Sequence, residues 1–280
     1  MRPSTCRPHL NRLLSTLAGL AVATCGMLSG AACLAAPAGQ TSVAQVKAQG
    51  ELRVCIWPEY QGITYRDPRS GQLSGLDFEV AQGLAKLFGV APRWVTTSFK
   101  SLAEDLRQDR CDVAMFAIAM LPTRMQDMRF TQPYMHSDLV AVVPRRNEML
   151  RQWKDIDQPG VRVGVLAGTF MEPVMRARLR KADLIVLAAP QTREQELEAG
   201  RIDVFISDEP YTRTLQRRAD WVRVVKSDTP VHPLPYAYAV KTGDDRWVKE
   251  LNDALKQLRQ QGLFKAAAAH HGMEDLLQSP

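Results

Sequence analysis

Beyond residue 38 the chain alternates short apolar runs with amphipathic stretches of helical period, the pattern of an α/β fold. The clearest run opens at Asp112: in the ten residues from there to Leu121 only the aspartate is charged or strongly polar, the mark of a strand buried on both faces. Strands are predicted over 52–57, 93–97, 112–120, 161–166, 184–187 and 203–207, and helices over 77–88, 101–108, 172–181, 192–199, 244–260 and 266–272. In the first helix Phe78, Val80, Ala81, Leu84, Ala85 and Phe88 form one apolar face, and Gly89 ends it. Residues 60–75 carry turn signals at Asp67-Pro68 and Ser70-Gly71 and read as a loop or hairpin. Successive β-α-β units predict mostly parallel sheets flanked by helices.

The segment from Leu106 to Met115 is echoed from Leu197 to Ile206: both read L-x-x-x-R-x-D-V followed by two apolar residues. A pair of similar α/β lobes accounts for this, as does chance likeness of two short units. The two-lobed reading assigns 39–141 and 237–280 to a first lobe and 142–236 to a second. Short apolar strands at 139–143 and 236–240 stand where the chain would cross, and two crossings make a hinge.

Composition adds little until the start of the chain is set aside. Arg2, Arg7 and Arg12 precede an apolar, small-residue stretch, and Ala36-Pro37-Ala38 offers a cleavage site, so 1–38 reads as an export signal; an uncleaved anchor, or lipidation at Cys33, are the alternatives. The segment holds three arginines and no acid, leaving 33 basic against 30 acidic residues, about +3. That is too mild a charge to imply a nucleic-acid partner. Of five cysteines only Cys55 and Cys111 follow the signal. In an exported chain they are either a bridge closing a loop of about 57 residues, worth roughly 4 kcal/mol, or two inert buried thiols. No histidine lies near them and no C-x-x-C occurs, which argues against zinc and redox catalysis; no cofactor is expected. His270 and His271 are adjacent on a predicted helix and should point apart, so no metal site is expected there either.

Two charged residues stand where open α/β sheets place ligands, at the C-terminal ends of strands. Arg124 follows the central strand in Pro122-Thr123-Arg124, beside a predicted helix start, and is either a carboxylate-binding fork or an ordinary surface arginine. Asp208 ends the echoing strand of the second lobe. A cation on one lip and a carboxylate on the other would embrace a zwitterion.

Gly75-Leu76-Asp77-Phe78-Glu79-Val80, Pro122-Thr123-Arg124 with Phe130-Thr131-Gln132-Pro133-Tyr134, and Arg162-Val163-Gly164-Val165 with Gly168-Thr169 together resemble the periplasmic solute-binding proteins of polar amino-acid ABC transporters, family 3. The resemblance covers 50–272 and implies a two-lobed clamshell. It implies a periplasmic, monomeric binder of an amino acid or related carboxylate that meets a permease in the inner membrane. By position Arg124 would hold the ligand carboxylate with help from the Thr169 amide, Asp208 the ammonium, and Tyr60 and Phe99 would sandwich the side chain. Phe116, Ala117, Ala119, Phe170 and Met171 depart from the hydroxyl residues common at those places, and with Trp57 they suggest an apolar or aromatic pocket. The chain also resembles exported cyclohexadienyl dehydratases, through Ile156-Asp157-Gln158-Pro159-Gly160-Val161 and through Glu172, which would be the catalytic acid if one residue of slack is allowed; otherwise it is an ordinary first-turn glutamate. A sensory module is a third reading; no membrane-spanning pattern follows Gly272, which favours a free binder.

Overall fold

The computed structural model describes residues 41–278, so the predicted export signal lies outside the described residues. Helix α1 (Val43–Gln49) leads into β1 (Glu51–Ile56) and a small antiparallel sheet of β2 (Glu59–Tyr60), β3 (Thr64–Arg66) and β4 (Leu73–Ser74). Next come α2 (Leu76–Phe88), β5 (Ala91–Thr96), α3 (Leu102–Arg107), β6 (Val113–Ala119), α4 (Pro122–Asp127), β7 (Met128–Phe130) and β8 (Met135–Ser137). The chain then passes through β9 (Leu139–Pro144), β10 (Arg162–Leu166), α5 (Met171–Arg178), β11 (Asp183–Leu187), α6 (Arg193–Glu198), β12 (Val204–Asp208), α7 (Glu209–Arg218) and β13 (Val222–Val225). It finishes with β14 (Leu234–Lys241), α8 (Asp245–Gln260) and α9 (Leu263–His271).

Two sheets carry the two lobes, ordered β5-β1-β6-β14-β7, with β8 also on β14, and β11-β10-β12-β9-β13. In each, three strands run parallel and one strand from the other side of a crossing is inserted antiparallel: β14 in the first, β9 in the second. The predicted crossing strands are therefore members of the sheets, and the crossings lie just outside them, at 138 and within 226–233. The reason is backbone accounting: an apolar strand buries its amides and carbonyls and needs sheet partners, which a bare crossing cannot supply.

The echo has a physical basis. Val113 and Ala114 pair with β1 at Val54 and Cys55, and the echoing Val204 and Phe205 pair with β10 at Val163 and Gly164. The motif aspartates do the same job in each lobe: Asp112 accepts the Arg53 amide at 2.8 Å and its guanidinium, and Asp203 accepts the Arg162 amide at 2.8 Å and its guanidinium. The motif arginines reach back to the preceding helix, Arg110 to Asp105 and Arg201 to Glu196. Each turn between them holds a left-handed residue, Asp109 at φ 54° and Gly200 at φ 68°.

A disulfide joins Cys55 in β1 to Cys111 just before β6, with Cα atoms 5.6 Å apart. All seven residues of β6 are buried, and Trp247 of α8 anchors beneath it, its indole donating to the Asp112 carbonyl at 2.8 Å. Helices α1 and α7 and strands β7, β8 and β13 were not predicted. For α7 the sequence carried a usable start signal: Asp208 caps it, accepting the Tyr211 amide, and Pro210 sits in its first turn. His270 and His271, predicted to point apart, both reach Glu79 of α2, at 3.2 and 3.0 Å, because α9 lies alongside that helix, with Leu263 at its start against Gly83 and its last turn against Glu79.

Candidate functional site

The strand ends of both lobes converge on one cavity, lined from the first lobe by Trp57, Tyr60, Phe99, Ala117, Ala119, Arg124 and Tyr236, and from the second by Thr169, Phe170, Met171, Arg193, Ser207, Asp208 and Tyr211. The lobes touch in this conformation: Tyr60 donates its hydroxyl to Asp208 across the cleft, and the Cα of Gly168 points at Lys100, leaving a Cβ there only 3.3 Å from the lysine side chain. The space left inside is about 20 Å3, room for about one water. A larger ligand enters only if the lobes part.

The first-lobe wall is an aromatic cluster. Trp57 lies 5.4 Å from Tyr60 and 5.3 Å from Phe99, edge to face with the latter, and Phe116 backs Phe99 at 5.0 Å without reaching the cavity. Between these rings the floor is kept shallow by Ala117 and Ala119. Ala117 takes a left-handed φ of 50° inside β6, where the pairing with β14 slips between Ala237 and Ala239, a bulge. Buried Asp77 holds that bulge by accepting the Ala117 amide at 2.7 Å, and it also receives the Tyr134 and Tyr238 hydroxyls. Burial pushes the Asp77 carboxyl up to about 6, against those three hydrogen bonds.

Arg124 projects from α4 over the Phe99 ring, 5.2 Å from its centre, and donates to the Ala119 carbonyl at 3.2 Å. It forms no ion pair with any carboxylate among the described residues. Burial lowers its pKa to about 10, with the neighbouring Tyr236 and Tyr60 acting the other way. A guanidinium desolvated to this degree without a counter-charge gains by receiving an anion. Because α4 is only six residues long, the guanidinium rather than a helix terminus carries the positive charge here.

Asp208 is 2% exposed and accepts the hydroxyls of Tyr60 and, at 2.8 Å, Tyr236. Burial raises its pKa above the usual carboxylate range, while these hydroxyls and the Arg193 charge pull it back. Thr169 folds its hydroxyl onto the Leu166 carbonyl at 2.7 Å, shaping the loop after β10.

Nine predicted ligand-binding residues, Trp57, Tyr60, Phe99, Ala117, Ala119, Arg124, Thr169, Phe170 and Asp208, thus meet at one cavity. Glu172 does not reach it: it sits in the first turn of α5, paired with Arg176 at 3.0 Å. Arg193, Ser207, Tyr211 and Tyr236 line the cavity without having been predicted. Arg193 gave no signal because it looks like one more charge in a polar helix, and only the fold turns it inward. Among the described residues no cluster of three or more histidine, cysteine or acidic side chains could hold a metal ion, and no helix is long and apolar enough to cross a membrane.

Comparison with known proteins agrees with this architecture. The chain is 29% identical over 246 residues to the cyclohexadienyl dehydratase of Pseudomonas aeruginosa, covering 85% of this chain and 91% of that one. It is 27% identical over 222 residues to the L-cystine-binding protein TcyJ of Escherichia coli, covering 79% and 82%. Among solved structures it matches AncCDT-1, described as an ancestral amino acid-binding protein and a precursor of cyclohexadienyl dehydratase, with a TM-score of 0.74 and 26% identity over 82% of this chain and 99% of that one. The family model for bacterial extracellular solute-binding proteins, family 3, matches residues 52–274. With both lobes and the cleft between them inside that match, the chain belongs to the bacterial extracellular solute-binding proteins, family 3.

Proposed function

We propose that the protein captures an amino acid or related small carboxylate outside the cytoplasm, by closing its two lobes around it, and presents it to an ABC importer. The observation that carries this reading is Arg124, a half-buried residue whose guanidinium has no carboxylate partner among the described residues, at the wall of a cavity built by both lobes. Arg124 takes the ligand carboxylate; Asp208, across the cleft, takes an ammonium in exchange for one of its tyrosine hydroxyls. Trp57, Tyr60 and Phe99 cover the carbon skeleton. Closure follows because each lobe alone offers only half of these contacts, so the closed form gains most when the ligand is present. The printed names of relatives, cystine-binding and amino-acid ABC transporter proteins, support the ligand class and the transporter partner. On this reading residues 1–38 direct export to the periplasm, and the Cys55–Cys111 bridge suits that compartment.

The test is calorimetric titration of the purified protein with amino acids of each side-chain class. Arg124→Ala should weaken binding by about 3 kcal/mol or more while leaving the circular dichroism spectrum unchanged. Unaltered affinity would remove the carboxylate assignment.

The likeness to cyclohexadienyl dehydratase supports a second reading, in which prephenate or arogenate is dehydrated in the same cleft. It requires Glu172 to leave Arg176 and enter the cavity. Appearance of phenylpyruvate absorbance on adding prephenate, lost in Glu172→Gln, would establish it.

A further inference from the structure

The hydroxyls that line the cavity are each engaged within the protein. Thr169 donates to the Leu166 carbonyl at 2.7 Å, Tyr60 and Tyr236 donate to Asp208, Tyr211 donates to Glu194, and Ser207 accepts Arg193 at 3.0 Å. Arg193 is engaged as well. It stacks 4.3 Å from the Tyr211 ring centre and is joined through the Tyr211 hydroxyl to Glu194, which lines an outer cavity with it and holds its charge more strongly than Asp208 does. Arg124 and Asp208 remain as the cation and the anion open to a ligand, and the carboxylate and ammonium of one amino acid match them. The rest of the lining is Trp57, Phe99, Ala117, Ala119, Phe170 and Met171, whose one polar side-chain group is the Trp57 indole N–H.

We propose that the ligand is an amino acid with an uncharged, apolar side chain, whether aliphatic, thioether or aromatic, and that Trp57, Phe99, Phe170 and Met171 read it. The inference rests on the solute-binding reading above and narrows its ligand class. A side-chain amide would exchange water for groups already bonded elsewhere, and a second carboxylate would have to compete with Glu194 for Arg193; both are costly in a water-poor site. A basic side chain fares no better, because the Phe99 face on which it would stack already carries the Arg124 guanidinium, 5.2 Å from the ring centre. The hydroxyl that Asp208 releases to admit the ammonium stays beside that ammonium. An apolar side chain meets none of these costs and is covered from both sides when the lobes close, by Trp57 and Phe99 of the first lobe and Phe170 and Met171 of the second.

Calorimetric titration of the full chain tests this with two pairs of similar shape, leucine with asparagine and methionine with glutamine, and with phenylalanine, glutamate, lysine and arginine. The tightest ligand should be leucine, methionine or phenylalanine, and within each pair the apolar member should bind at least about tenfold more tightly than the amide. In Trp57→Gln, which sets a free amide in place of a ring, the ratio of methionine to glutamine affinity should fall towards one, whereas loss of shape alone would weaken both alike. Phenylalanine as the tightest ligand would assign the aromatic members of the class, and the proposal would stand. Amides binding as tightly as their apolar partners, or glutamate, lysine or arginine binding as tightly as the best apolar ligand, would overturn the inference, whatever the variant does, and leave the solute-binding reading intact. If nothing in the panel binds, that reading fails and this one with it.

Discussion

At the scale of single residues, two buried aspartates do different work with similar surroundings. Asp77 and Asp208 each receive two tyrosine hydroxyls and one backbone amide, but Asp208 faces the cavity and Asp77 the wall behind it. Asp77 has a measurable signature. Its pKa of about 6 stands above the ordinary 3.8, so the folded chain keeps a proton that the unfolded chain has already lost. Its contribution to stability is fullest below about pH 4 and declines as pH rises to about 6, by about 3 kcal/mol in all. Asp77→Asn has no such decline, so its stability relative to wild type should rise by a comparable amount over that interval. Urea midpoints for both proteins between about pH 4 and pH 7 check this, and a difference that stays flat with pH would show that the hydrogen bonds keep Asp77 ionised.

At the scale of elements, α7 links the ligand cavity to the closing surface. Its cap, Asp208, lies in the cavity, while farther along Arg213 grips Asp275 at 2.6 Å and the Gly272 carbonyl, and Arg218 lies over the Tyr65 ring, all on the first lobe. Exposed ion pairs of this kind add little, so shape matters more. Gly62, at φ 77°, lies so close to α7 that a Cβ there would fall 2.3 Å from the Thr214 hydroxyl oxygen. Its backbone strain in Gly62→Ala, and its contact with Met273, 2.6 Å from such a Cβ on the same lobe, are present whether the lobes are open or shut, whereas the clash with Thr214 exists only when they are shut. Overpacking costs about 1–3 kcal/mol, so ligand affinity should fall about tenfold. A variant that melts earlier yet binds its ligand as tightly as wild type would mean that α7 gives way on closure.

At the scale of the whole molecule, the two crossings are clasped by one side chain. The Asp138 carboxylate, on the first crossing, accepts the amides of Val231 and His232 on the second, at 2.8 and 2.6 Å, and the Leu139 amide at 2.7 Å. The lobes therefore pivot about a joint whose strands are tied side by side, a geometry that permits bending and resists twisting. Asp138→Ala leaves part-buried amides without their acceptor, a loss of about 1–3 kcal/mol. The melting midpoint should drop by about 2–6 °C, and the cavity residues themselves are untouched. A midpoint equal to wild type would show that water satisfies those amides.

Much of this was legible in the sequence because it is local. The uninterrupted apolar run before Arg124 carries the mark of a strand buried on both faces, the L-x-x-x-R-x-D-V echo reads as a helix end, a turn and a strand in each lobe, and charged residues after such strands stand at sheet ends. These follow from periodicity, turn geometry and the cost of burying polar groups. The course of the crossings, the polar helix α7 and the inward turn of Arg193 were not legible in the same way. Strands β9 and β14 resemble any short apolar strand, and which sheet receives them is set by backbone partners far away in the chain. Arg193 and Tyr236 acquire meaning only when two lobes bring distant strand ends within a few ångströms of one another. The sequence by itself thus indicated two similar lobes and placed Arg124 and Asp208 each after an apolar strand, because those signals are local; the tertiary structure alone decided which side chains meet at the cavity, Arg193 and Tyr236 among them, because that meeting depends on contacts only folding makes.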